Sequence, residues 1–99
     1  MQSWYPESFT REMGCTEAEL GQWLAPAVGD RPLAVTARHA EAPVGSGRFT
    51  LDWTVLPPRR IALITMPRLE VRFTFDGVSE TDRQAFMKRF DIYMQRGGG

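Results

Sequence analysis

Residues 48–55 read Arg48-Phe49-Thr50-Leu51-Asp52-Trp53-Thr54-Val55. Successive side chains of a strand point to opposite faces, so Phe49, Leu51, Trp53 and Val55 share one face and Arg48, Thr50, Asp52 and Thr54 the other. One face is buried and one is wet, the pattern of an antiparallel sheet covered on a single side. Leu69, Val71, Phe73 and Phe75 alternate in the same way with Arg68, Glu70, Arg72 and Thr74.

The stretch between these runs is harder to place. Leu56-Pro57-Pro58-Arg59-Arg60 breaks the ladder, because proline has no N–H to donate. Residues 61–66 are apolar on both faces, which suits a central strand or one covered on both sides. Met66-Pro67-Arg68-Leu69 lacks the Gly, Asn or Asp of a two-residue hairpin. Residues 61–75 therefore read as one long strand bulged at Pro67, with two strands as the alternative. Asp76-Gly77 ends it.

Helices flank this sheet. Thr16-Glu17-Ala18-Glu19 is a capping box, and Leu20, Trp23 and Leu24 follow on one helical face. Pro26 is expected to stop that helix near Ala25. A second helix opens at Ser79-Glu80-Thr81-Asp82 and carries Phe86, Phe90 and Met94 in a broad apolar stripe. Residues 6–13 read as a short helix or an ordered arm, with Phe9 and Met13 four apart. Residues 33–38 alternate as a strand, and residues 42–47, with Pro43, Gly45 and Gly47, read as the most flexible internal loop. The expected architecture is α+β: one two-layer domain over residues 1–96 and a flexible glycine tail at 97–99. Its antiparallel sheet has three to four strands, with one face covered by an N-terminal and a C-terminal helix.

The chain has 99 residues, twelve Lys plus Arg against twelve Asp plus Glu, and one cysteine. That composition excludes a disulfide scaffold and a strongly charged polyanion binder. The longest apolar stretch is far short of a membrane span, and with a lone cysteine and no signal peptide the chain reads as cytosolic. The neutrality hides a split. Residues 1–45 hold three arginines against six acids, a balance of −3; residues 46–99 hold nine bases against six acids, a balance of +3. Eleven of the twelve bases are arginine.

No residue set points to catalysis. His39, the only histidine, has no companion Cys or His at metal-ligand spacing, so no metal or cofactor is expected. Cys15 lies just before a helix start, where a thiol pKa can fall, but burial as a small apolar residue is the commoner use. Asp52 and Arg72 are placed for a cross-strand ion pair. Arg59, Arg60, Arg68 and Arg72 lie within fourteen residues of one another, the best candidates for contacts with a partner. Gln95-Arg96-Gly97-Gly98-Gly99 resembles the tails of ubiquitin-like modifiers and sulfur carriers, in which slim glycines let an activating enzyme reach the terminal carboxylate. The resemblance covers the tail alone. Those folds place a strand before it, whereas here a helix precedes it, and glycine is a common helix stop.

The reading is a non-enzymatic module that binds a protein partner or itself, since large aromatics are abundant and an open sheet leaves edges. One alternative is a small-molecule or enzymatic pocket between sheet and helices, lined by Trp53, Trp23 and Tyr93 with Cys15 or His39 nearby. Arginine-mediated binding of single-stranded nucleic acid is another; charge neutrality and the inward aromatics weigh against it.

Overall fold

The computed structural model describes residues 3–96. In chain order it contains β1 (Ser8–Met13), α1 (Glu17–Val28), β2 (Ala34–Thr36), β3 (His39–Val44), β4 (Gly47–Ile61), β5 (Ile64–Asp76) and α2 (Glu80–Arg96). The strands form one antiparallel sheet in the order β1-β5-β4-β3-β2. The class is α+β as expected, but the sheet has five strands rather than three to four.

The extra strands have identifiable causes. Phe9 and Met13 share a face in a strand as well as in a helix, because four is an even number. The strand prevails here: Phe9 sits opposite Phe73 and stacks on it with ring centroids 4.6 Å apart. Residues 33–38 do not form one strand. β2 covers only 34–36, the chain turns at Ala37-Arg38, and β3 runs through Ala42 and Pro43. The expected flexible loop is thus mostly strand, and only a tight turn at Gly45-Ser46 separates β3 from β4. Gly47 has no room for a side chain: a Cβ there would lie 2.2 Å from the Asp76 carbonyl oxygen.

Residues 61–75 are not one strand either. β4 continues through Pro57-Pro58 to Ile61, and β5 begins at Ile64. The ladder survives the prolines by a bulge. Leu56 pairs with Arg68 and Arg59 with Met66, so two residues of β4 oppose one of β5. The Arg68 Nε donates to the freed Pro57 carbonyl at 2.9 Å. The chain reverses at Ala62-Leu63, with Ala62 in the left-handed region at φ 54°.

α1 begins at the expected capping box: the Thr16 hydroxyl accepts from Glu19 N at 3.1 Å, and the Glu19 carboxylate accepts from Thr16 N at 2.9 Å. Pro26 does not stop the helix, which runs to Val28 and closes at Gly29, φ 81°. The proline costs a backbone bond, but the extra turn buries Ala27 and Val28 completely.

The inward row Phe49, Leu51, Trp53, Val71, Phe73 and Phe75 is buried. Phe86 of α2 lies 4.8 Å from Phe49 and 5.9 Å from Phe75, and Phe90 lies 5.5 Å from Phe73, ring centre to ring centre. Leu20 and Leu24 of α1 join the same core, and Trp23 packs at its margin. A polar clamp ties the N-terminal segment to α2. The Tyr5 hydroxyl donates to Asp91 at 2.5 Å, and Arg11 grips the same carboxylate with two bonds of 2.6 and 2.9 Å. The Arg11 guanidinium also lies over the Tyr5, Phe9 and Phe73 rings. Burial first, and then the Asp91 carboxylate, push the Tyr5 hydroxyl up to about 12, so it holds its proton and acts as a structural donor.

Candidate functional site

β4 and β5 are longer than the strands beside them. β3 pairs with β4 only as far as Asp52, and β1 pairs with β5 only from Leu69 onward. Beyond those points, among the described residues, β4 and β5 pair only with each other. Residues 55–68 form a two-stranded arm that leaves the body of the sheet, and the longest dimension of the molecule is 46 Å against 29 and 21 Å for the others.

The arm is apolar and bare. Leu63 at the tip is fully exposed, and Ile61, Ile64 and Met66 are 54 %, 62 % and 43 % exposed. Strand alternation and the cross-strand pairs Ile61–Ile64 and Arg59–Met66 place Ile61, Ile64 and Met66 on one face. The sequence pattern of this segment suits a covered strand, and the structure leaves it uncovered. A run of large apolar side chains in water is the usual mark of a contact surface.

Charge on the arm is of one sign. Between Asp52 and Glu70 the chain carries three arginines and no acid. Arg68 and Arg59 both reach back to Glu12 of β1, Arg59 at 3.4 Å. Arg60 makes no ion pair among the described residues. The expected arginine group therefore divides. Arg59, Arg60 and Arg68 belong to the arm, whereas Arg72 sits on the open sheet face opposite Thr10 and Asp52.

At the base of the arm lies a groove of about 400 Å³, lined by Cys15, Ala18, Val55, Leu56, Pro67 and Leu69 among others. Its walls are mostly aliphatic. The start of α1 forms one wall and is held to the sheet by Glu17, which accepts from the Trp53 indole at 2.8 Å and from Arg38 at 2.9 Å. The Arg38 and Trp53 bonds keep the Glu17 carboxyl below its ordinary range. Residues 12–19 hold three acids and no base, and Arg68 of the arm lines the groove opposite them.

The proposed pocket residues do not come together. Cys15 lines the groove but is buried, and burial, with Glu19 second, pushes its thiol up and keeps it protonated. Trp53 is nearly buried and spends its N–H on Glu17. Tyr93, on α2, packs beside the core with the Arg89 guanidinium 4.6 Å from its ring centre. His39 opens β3 and bonds Asp52 at 2.6 Å and Glu41 at 3.4 Å; these bonds raise its pKa. Asp52 does lie opposite Arg72 in register, but its ion partner is His39.

The face of the sheet away from the core carries Thr10, Glu41, Thr50, Asp52, Glu70 and Arg72, of mixed sign, while Phe49, Trp53, Phe73 and Phe75 point inward. No group of three His, Cys, Asp or Glu among the described residues is placed to hold a metal ion. No described helix is long and apolar enough to cross a membrane. The glycine tail lies outside the described residues. The sequence singles out the arm's arginines but does not show that Ile61, Leu63, Ile64 and Met66 are left exposed. The signal was present: an apolar run bounded by Arg59-Arg60 and Pro67 has no paired polar face to set against a core. Comparison with family models, with curated proteins and with solved structures finds no match for this chain.

Proposed function

We propose that this chain is a non-enzymatic protein-binding module that works in the cytoplasm and engages its partner through the β4–β5 arm. In this reading both helices cover one sheet face, and the arm extends beyond that cover. One observation carries the reading: Ile61, Leu63, Ile64 and Met66 are exposed together on a projecting ribbon. Leaving such residues in water forfeits roughly 1.5–3 kcal/mol of burial for each side chain, a loss that a partner recovers. Arg59, Arg60 and Arg68 flank the apolar residues and favour a partner surface with acidic groups at its rim.

The arm offers side chains more than a free edge. Pro57, Pro58 and Pro67 sit along its two strands, and proline blunts an edge against strand addition. Binding is therefore expected to depend on the residues at the tip. The test is affinity capture with the wild-type chain and with Leu63→Asp/Ile64→Asp, both immobilised. A partner held by the wild type and lost by the double variant supports the reading. Equal capture by both, with the variant fully folded, would place binding elsewhere.

A further inference from the structure

We infer that the cleft at the C-terminal end of α1 is a binding site for a phosphate monoester, gripped by Arg31 and Arg89. The site is separate from the arm and stands whether or not the arm binds a partner.

Arg31 follows α1 in the chain, and Arg89 comes from α2. The fold brings both to one cleft of about 470 Å³, lined by Gly29, Asp30, Arg31 and Arg89. Each guanidinium is held by a ring of α2 and a carbonyl of α1. Arg31 lies over Phe86, 5.3 Å from the ring centre, and donates to the Val28 carbonyl at 3.1 Å. Arg89 lies over Tyr93 at 4.6 Å and donates to the Pro26 carbonyl at 3.4 Å. Stacking and a hydrogen bond thus orient each group before any ligand arrives. Gly29, at φ 81°, lets Arg89 approach: a Cβ there would lie 3.2 Å from its Nη2.

These contacts leave most donors unused. A guanidinium carries five N–H bonds, and each arginine gives one hydrogen bond to α1. Neither arginine makes an ion pair among the described residues. Asp30 is the one acid among the lining residues, and it pairs with neither. α1 has no basic residue in its last turn, so one cation is accounted for by the helix end, which carries about half a negative charge. The second is more than that end requires. Two positive charges against one carboxylate and the helix end leave the cleft positive. A phosphate group brings up to two negative charges and three acceptor oxygens, enough to take donors from both guanidinium groups together. A carboxylate has two oxygens and fills a single fork.

The experiment titrates the full chain with sodium phosphate, chloride holding the ionic strength constant, and follows backbone amide and arginine Nε–H signals by NMR. The expected result is saturable shifts at Gly29, Arg31 and both arginine side chains. Arg31→Gln and Arg89→Gln each weaken binding tenfold or more, whereas Arg48→Gln, at an arginine paired with Glu41, leaves it unchanged. Asp30→Asn tightens binding severalfold, an effect that two arginines serving only to cap α1 would not give. Should Arg89→Gln loosen α1, Arg89→Lys keeps the charge and loses the fork, and it too is expected to weaken binding. Glycerol phosphate and a phosphoserine peptide then separate the two sources of the group: saturable binding of either supports the site, and the tighter one names the source. Shifts that do not saturate, that chloride reproduces, or that persist in both Gln variants mean an adventitious ion only and overturn the inference.

Discussion

The inner and outer halves of the β4–β5 ribbon are built from the same two strands and the same antiparallel pairing, yet their surroundings differ completely. In the inner half, Phe49, Leu51, Phe73 and Phe75 lie under α2 and are flanked by β1 and β3. In the outer half, Ile61, Leu63 and Ile64 have no cover. Side-chain hydrophobicity does not distinguish the halves. What differs is whether another element of the chain is long enough to reach them: β1 stops at Leu69 and β3 at Asp52 in register. An apolar strand thus reports that burial is wanted, and the partner that supplies it need not belong to the same molecule.

The sharpest way to break this contrast is truncation. Phe73→Ala in the inner half is expected to cost about 3–5 kcal/mol of unfolding free energy, because it removes a ring packed between Phe9, Phe49 and Phe90. Ile64→Ala in the outer half is expected to cost within about 0.5 kcal/mol in the monomer. Urea denaturation at low protein concentration measures both. Similar losses would mean that the arm is covered within one chain.

The two ends of the ribbon offer a smaller test. At the closed end, Gly47→Ala would drive a methyl group into the Asp76 and Gly77 backbone. Overpacking of this kind costs about 1–3 kcal/mol, read again from denaturation midpoints. At the open end, Ala62 holds a left-handed φ of 54°, as Ala37 does at 48° in the β2–β3 turn. Glycine relieves that strain but loosens the unfolded chain, so Ala62→Gly and Ala37→Gly are each expected to stabilise by only a few tenths of a kcal/mol. A measurable loss from either would show that the alanine methyl makes a contact of its own.

Alkaline titration probes the clamp that fastens β1 beneath the covered half. The Tyr5 hydroxyl is pushed up to about 12 in the folded chain, above the ordinary value near 10. A raised folded value means that the folded state keeps its proton where the unfolded state has lost it. Stability therefore holds below about pH 10 and falls as the pH climbs toward 12. Tyr5→Phe is expected to flatten that decline while lowering stability near neutral pH, since the Asp91 carboxylate loses a donor. Thermal unfolding against pH, wild type beside variant, checks both effects.

Legibility followed the local signals. The alternation at 48–55 and 68–75, the capping box at Thr16 and the second helix could be read because each depends on side chains a few residues apart. The two missed reversals, at Ala37-Arg38 and Ala62-Leu63, use alanine where glycine or asparagine marks a turn. The strand at residues 8–13 was ambiguous because Phe9 and Met13 share a face under either period. For the candidate site, Arg59, Arg60 and Arg68 were visible as a cluster, while the exposure of Ile61, Leu63, Ile64 and Met66 was not.

The sequence by itself determined the α+β class, the inward rows of β4 and β5, the start of α1 and the split of charge between the two halves of the chain. These follow from local periodicity, capping chemistry and the order of charges. Only the tertiary structure decided the strand count, the bulge that carries β4 through Pro57-Pro58, and the bare arm beyond the sheet. Those depend on how far β1 and β3 run beside their neighbours, which is set by contacts between distant residues rather than by any residue of the arm itself.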